Sequence, residues 1–81
     1  MLKMFQRYKD EKLAERALQA LDSSPAIQIR NLDVVSKNGV VTLAGSLGKG
    51  TSRLRTVEVV QSALNMAGLK YQQIVDELVD R

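Results

Sequence analysis

The sequence predicts a small single domain of the α+β class, with a helix, a β-hairpin, a second helix and a short final element in that order. Three observations predict it: an apolar stripe at helical spacing in the first quarter, a tight-turn dipeptide between two alternating segments, and a second helical stripe that ends at a glycine. The 81 residues suffice for one modest core, since a chain of this size buries only about 60–65% of its unfolded surface.

The first helix is placed by its apolar stripe and by the residues at its two ends. Asp10 is suited to the N-cap position, and Glu11 is favourable in the first turn. The helix ends before Pro25, because proline cannot continue the helical hydrogen bonding. The stripe consists of Leu13, Ala14, Ala17, Leu18 and Leu21.

A hairpin is predicted at Asn38-Gly39, because both positions of a two-residue turn tolerate positive φ. The register that follows pairs Lys37 with Val40, Ser36 with Val41, Val34 with Leu43, and Leu32 with Gly45. The alternating apolar positions of both strands then fall on one face, the inner floor of the core. This floor consists of Leu32, Val34, Val41 and Leu43. Gly45 on the same face would let a helix approach closely.

The second helix is expected to begin after a cap at Thr51 or Ser52 and to end in a Schellman motif at Gly68. Its principal face consists of Leu54, Val57, Val60, Gln61 and Leu64. A second stripe consists of Val59, Ala63 and Met66. This second stripe either packs between the sheet and the first helix, or forms a contact surface for a membrane or partner, with Val59 and Met66 as its contact residues.

The final element is ambiguous from its pattern alone. Its apolar residues have helical spacing, yet most are β-branched and the segment is short, so helix and strand fit equally well. They are Ile74, Val75, Leu78 and Val79.

Charge divides the chain into a basic amphipathic arm, residues 1–9, and a single folded domain, residues 10–81. Of the twelve basic residues, Lys3, Arg7 and Lys9 lie in the arm without an acidic neighbour, so nine remain against the nine acidic residues of the domain. The net charge of +3 is therefore carried by the arm.

The apolar residues of the arm also recur at helical spacing, but at about 100° per residue they point away from the stripe of the first helix. Either the chain breaks near Asp10, or the arm presents its apolar side to an anionic membrane or a partner. The alternative is a frayed terminus, or an extra turn packed on the same or a neighbouring subunit. The apolar arm residues assigned to such contacts are Met1, Met4, Phe5 and Tyr8.

The residue inventory argues against catalysis and metal binding. Histidine and cysteine are both absent, which removes the commonest general base, the commonest metal ligand and every disulfide. The acidic cluster Asp76, Glu77 and Asp80 is interpreted as a solvated edge of the final element. We therefore expect no enzyme activity, no cofactor and no metal site.

A weak anion site is predicted where the second helix begins. Residues 45–51 link a strand to a helix but lack the spacing of a phosphate-binding loop. Backbone N–H groups there, with Lys49, Arg53 and Arg55, could still hold a headgroup phosphate or a carboxylate. The alternative is a capped loop with solvated charges. Scarce aromatic residues and a neutral domain disfavour nucleic acid.

These segments together resemble the BON domain, a family named for bacterial osmotically induced and nodulation proteins. The similarity is to its opening helix at residues 10–18, its hairpin signature at 34–47 with the run NGVVTLAGSL, its closing helix and glycine at 63–69, and its last strand at 74–78. The resemblance covers about residues 10–80. It implies an αββαβ domain with two helices packed on one face of a three-stranded sheet, binding to phospholipid surfaces or partner proteins, and no catalytic residues.

The leading functional hypothesis is a non-enzymatic module that associates peripherally with anionic phospholipid surfaces. The arm, with Lys49, Arg53 and Arg55, is the expected contact set. The rival is a protein-interaction or homo-oligomerisation module, in which the arm and the second stripe bury against another chain. No stretch approaches the roughly twenty apolar residues that cross a bilayer, and early charges exclude a secretory signal, so a cytoplasmic location is expected for the chain as written.

Overall fold

The computed structural model describes residues 8–80, which form two helices and one three-stranded sheet. The elements are α1 (Asp10–Asp22), β1 (Ile29–Lys37), β2 (Val40–Leu47), α2 (Arg53–Met66) and β3 (Gln73–Asp80). The strand order is β1-β2-β3, with β1 antiparallel and β3 parallel to β2. The αββαβ order is confirmed, and the ambiguous final element is a strand.

Both helices pack on the same face of the sheet and share one core. α1 lies on β1 and contacts α2, while α2 reaches β3. The predicted inner floor is confirmed: Val41 and Leu43 are fully buried, and Leu32 and Val34 pack half-buried against the same cluster. Burying these side chains is the main favourable contribution to folding, at about 25 cal/mol per Å² of apolar surface.

The hairpin turns at Asn38 and Gly39, whose φ values of 52° and 83° are both positive, as a type I′ turn requires. The predicted pairing is confirmed from the turn as far as Val34 with Leu43. The predicted pair Leu32–Gly45 is wrong, because the register shifts between Arg30 and Asp33.

A β-bulge in β1 causes this shift. Asn31 adopts a φ of 55°, and the pairing resumes one residue out of step with Ile29 opposite Leu47. Because each step along a strand reverses the side-chain direction, the bulge moves the inward positions from Leu32 and Val34 to Ile29. Both halves of β1 can therefore face the core.

Gly45 accommodates this bulge rather than a helix. Its φ is +142°, and a Cβ at this position would lie 2.7 Å from Cγ2 of Ile29 and 2.9 Å from the carbonyl oxygen of Arg30. The element that approaches Gly45 closely is thus the neighbouring strand, which corrects the expected helix contact.

The helix ends follow local rules with one exception. Ser52 caps α2 by accepting a hydrogen bond from the Arg55 N–H at 3.1 Å. The predicted Schellman ending is confirmed, since the Leu69 N–H donates to the Leu64 carbonyl at 3.0 Å beyond Gly68, whose φ is 71°. The exception is Asp10, which is the first helical residue and not the N-cap.

The buried face of α2 is rotated from the predicted principal face. Leu54 is 69% exposed and Gln61 is exposed, whereas Thr56 is fully buried. The Thr56 hydroxyl donates to the Ser52 carbonyl at 2.8 Å, which satisfies it inside the core. The buried residues of α2 are Thr56, Val60, Ala63 and Leu64.

The second stripe of α2 is divided between the core and solvent. Val59 packs half-buried against the core and Ala63 is buried, as the interpretation of a helix wedged between sheet and α1 requires. Met66 is 83% exposed. Only Met66 is therefore fully accessible for the contact assigned to this stripe.

Candidate functional site

The hairpin turn is held by the carboxylate of Asp10. Its Oδ2 accepts a hydrogen bond from the Asn38 N–H at 2.7 Å, and its Oδ1 accepts bonds from the Gly39 N–H and the Ser36 hydroxyl, both at 2.9 Å. Successive N–H groups in a positive-φ turn converge on an anion, and here the protein supplies that anion itself.

These bonds favour the charged form of Asp10. The bond from the Gly39 N–H is the largest cause that holds the pKa of Asp10 below its ordinary value. Desolvation opposes the lowering, and the bonds from Asn38 and Ser36 add to it. The sequence assigned Asp10 a local capping role, but its carboxylate joins α1 to the hairpin.

The arm is attached to the domain at this same turn. Tyr8 is half-buried against the core, and a Cβ on Gly39 would lie only 2.6 Å from Cδ1 of the Tyr8 ring. The turn therefore requires glycine for its φ and for the space that the ring occupies. The arm residues Met1, Lys3, Met4, Phe5 and Arg7 lie outside the described residues.

Four exposed lysines surround the end of the sheet that carries the turn, here called the turn end. Lys9 precedes α1 and Lys12 lies in its first turn, while Lys37 is the last residue of β1. Lys70 lies in the connection to β3, close to Gln72, whose N–H donates to the Gly39 carbonyl at 2.7 Å. We call these residues the turn-end lysines: Lys9, Lys12, Lys37 and Lys70.

Three carboxylates lie near the four turn-end lysines. Asp10 is engaged by the turn, Glu11 is exposed beside it, and Glu15 follows one turn further along α1. The turn end therefore carries a net positive charge within residues 8–80. Of the four lysines, only Lys9 belonged to the predicted contact set; the position of the other three follows from the topology.

At the opposite end of the sheet, the far end, Arg53 is bound by acidic groups of β3. Its Nη1 donates to Asp76 Oδ1 at 3.1 Å and to the Leu78 carbonyl at 2.6 Å, and its Nη2 donates to Asp80 Oδ2 at 3.3 Å. The hydrogen bond to Asp76 is the largest cause that raises the pKa of Arg53, and the charges of Asp76 and Asp80 act in the same direction.

The charges of the far end are balanced. Lys49 and Arg55 of the predicted anion set are exposed there, but Arg53 is committed to Asp76 and Asp80. The basic residues of this end are Arg30, Lys49, Arg53 and Arg55, and the acidic ones are Asp22, Glu58, Asp76 and Asp80.

The predicted contact residues do not form one surface. Tyr8 and Lys9 lie at the turn end, whereas Lys49, Arg53 and Arg55 lie at the far end. The eight residues of β2 separate the two ends by roughly 25 Å, at about 3.3 Å per residue. Only one end can therefore meet a flat surface head-on.

The helix layer carries two open grooves. One of about 370 Å³ runs between α1 and α2 and is lined by Arg16, Arg55 and the second stripe. A larger one of about 780 Å³ follows α1 from Lys12 to Ser23 and reaches Leu69. Basic and acidic side chains line both grooves, so neither groove carries charge of a single sign.

Two further observations restrict the chemistry of the site. Within residues 8–80, no group of three or more histidine, cysteine, aspartate or glutamate side chains is placed to hold a metal ion. In that same part of the chain, no helix has the length and apolar character needed to cross a membrane.

Comparison with known proteins does not narrow the function. No protein-family model matches the chain, and neither a curated protein nor a solved structure was found to match it. The BON resemblance therefore remains an expectation drawn from the motifs, whereas the αββαβ fold that it implied is the observed fold.

Proposed function

We propose that this chain is a non-enzymatic binding module that associates peripherally with anionic phospholipid surfaces through its turn end. The observation that carries the proposal is the unequal distribution of charge along the sheet. The four turn-end lysines are exposed and outnumber the three carboxylates beside them by one, and the basic arm is attached at the same place.

Electrostatic attraction at this end is sufficient for weak, reversible binding. Each basic residue close to an anionic membrane contributes about 1 kcal/mol. The four turn-end lysines act together with Lys3 and Arg7 of the arm. The apolar arm residues Met1, Met4 and Phe5 add burial in the interface, whereas Tyr8 packs on the turn. This combination of charge and apolar anchor is what stable peripheral binding needs.

The far end contributes less to such binding. Arg53 is neutralised by Asp76 and Asp80, which would themselves be repelled by anionic lipid. We therefore leave Arg53 out of the lipid-contact set, and we treat Lys49 and Arg55 as accessory.

The proposal assigns this chain no catalytic role. The sequence contains no histidine or cysteine to act as base or nucleophile. Within residues 8–80, Asp10, whose pKa is lowered, and Arg53, whose pKa is raised, both hold structural elements together.

Vesicle flotation tests the proposal. The full chain should float with vesicles that contain phosphatidylglycerol, remain at the bottom with phosphatidylcholine alone, and dissociate as salt is raised. The double variant Lys12→Glu/Lys70→Glu should lose most of the bound fraction. The matched far-end variant Lys49→Glu/Arg55→Glu changes the net charge equally and should retain most binding.

Two outcomes would overturn the proposal. Equal loss in both double variants would show that only net charge matters, and equal flotation with neutral vesicles would show that charge does not matter. Deleting residues 1–7 from the wild-type chain should also weaken flotation. Thermal unfolding confirms that each variant is folded.

A further inference from the structure

The face of the sheet opposite the helices, here called the outer face, is open to solvent within the described residues. Val35 and Val79 on it are 53% and 54% exposed. Three adjacent cross-strand rows lie on the turn side of the bulge: Lys37–Val40–Gln73, Val35–Thr42–Val75 and Asp33–Ala44–Glu77. Val79 lies in a fourth row beyond the bulge, opposite Ser46, which pairs with Arg30.

The central row is unusual for a solvated face. Val35, Thr42 and Val75 are all β-branched, whereas the open face of a sheet usually carries polar side chains. On β1 this row is flanked by charges of opposite sign, Lys37 on one side and Asp33 on the other. The outer face therefore has an apolar centre and a charge pattern with direction.

This pattern is complementary to itself under one symmetry operation. The operation is a two-fold axis that lies between the two sheets, perpendicular to the strands and level with the central row. It stacks β1 of one copy on β1 of the other, with the two strands running in opposite directions. Val35 then faces Val35, and Val75 faces Val75. Lys37 of each copy faces Asp33 of the other, which makes two identical ion pairs.

The alternative axis is disfavoured by charge. A two-fold axis along the strands stacks β1 on β3 and places Asp33 of one copy over Glu77 of the other, on both sides of the axis. Like charges facing one another across an interface are unfavourable. Of these two arrangements, the register of the sheet favours the first.

We propose that the outer face binds a second copy of this chain, with the two sheets stacked antiparallel about the row Val35–Thr42–Val75. Packed sheets lie about 10 Å apart and are rotated by about 30°. A lysine side chain is long enough to span this gap, so the Lys37–Asp33 pairs form despite the rotation. This surface is separate from the helix layer and shares one residue, Lys37, with the turn-end lysines; Lys12 and Lys70 lie outside it.

Sedimentation equilibrium over a range of concentrations tests the proposal. The wild-type chain should pass from monomer to dimer as its concentration rises. Val35→Lys/Val75→Lys should be monomeric at every concentration, because like charges would meet at the centre of the interface. The proposal is overturned if the wild-type chain stays monomeric, or if Val35→Lys/Val75→Lys still dimerises. The outer face then binds a different partner or none.

A charge exchange tests the stacking direction. Lys37→Asp alone and Asp33→Lys alone should each weaken dimerisation about tenfold or more, since each places like charges opposite one another. The double variant Lys37→Asp/Asp33→Lys should return the dissociation constant to within a few-fold of the wild-type value. Failure of the double variant to recover rejects the proposed arrangement, and circular dichroism confirms folding of each variant.

Discussion

At the turn end of the sheet a carboxylate is held by backbone N–H groups, whereas at the far end a guanidinium is held by carboxylates. Asp10 joins α1 to the hairpin turn, and Arg53 joins α2 to Asp76 and Asp80 of β3. Both contacts attach a helix to the sheet, yet they use charges of opposite sign.

The charge balance also differs between the two ends. At the turn end Asp10 stays charged, and with Glu11 and Glu15 it leaves an excess of one positive charge over the four turn-end lysines, whereas at the far end four bases meet four acids. The excess at the turn end is supplied by Lys9, which belongs to the basic arm, so the arm and not the domain makes the two ends differ in charge.

The largest expected effect concerns the bulge in the far half of the hairpin. Gly45→Ala should destabilise the domain by about 3 kcal/mol or more, because its Cβ would meet Ile29 and the backbone of Arg30 at a φ of +142°. Gly50→Ala is the control: its φ is +82° but nothing lies within 4 Å, so about 1 kcal/mol is expected. Urea unfolding measures both, and equal losses would contradict the close approach at Gly45.

The next effect concerns the carboxylate at the turn. Asp10→Ala removes the acceptor of three hydrogen bonds and leaves the N–H groups of Asn38 and Gly39 without it. We expect the melting temperature to fall by several degrees. Glu11→Ala, at the neighbouring exposed carboxylate, should change it little, and similar losses in both variants would argue against a specific contact.

The pH dependence of stability should come partly from the same group. The folded pKa of Asp10 lies below its ordinary value of 3.8, so its contribution is complete above that value and is lost as pH falls through the lower folded pKa. The urea midpoint of the wild type should fall more steeply from about pH 5 to 3 than that of Asp10→Asn. Parallel profiles for the two proteins would remove Asp10 as the cause.

The smallest effect is expected at the far end. Arg53→Met keeps the aliphatic stem but loses ion pairs in which the arginine side chain is 41% exposed and Asp80 is 79% exposed. Exposed ion pairs contribute little, so the fall in melting temperature should be smaller than for Asp10→Ala and should diminish in high salt. Lys49→Met, at a cation with no ion pair among residues 8–80, is the matched control.

Several features were predictable because neighbouring residues decide them. The turn at Asn38-Gly39, the Ser52 cap and the Schellman ending at Gly68 depend on φ preferences and on hydrogen bonds a few residues apart. The bulge is also visible in the sequence, where the spacing of apolar residues changes from two between Ile27 and Ile29 to three between Ile29 and Leu32. A search for strict alternation within a single strand does not detect this change.

The candidate site was less predictable than the fold. Lys37 and Lys70 are 33 residues apart in sequence, and only the parallel pairing of β3 with β2 brings the start of β3 to the turn. The prediction that Arg53 helps to bind an external anion was made without Asp76 and Asp80, because these two carboxylates approach Arg53 only after α2 and β3 have packed.

The sequence by itself determined the order of elements, the turn and its register, the ends of α2 and the inner face of the hairpin, because local conformational preference and alternation of apolar side chains decide these. The tertiary structure alone decided that Asp10 binds the turn, that Asp76 and Asp80 hold Arg53, and that Lys37 and Lys70 lie at the same end of the sheet. Each of these depends on hydrogen bonds and charges between segments distant in sequence, and their energies exist only once the core has brought the segments together.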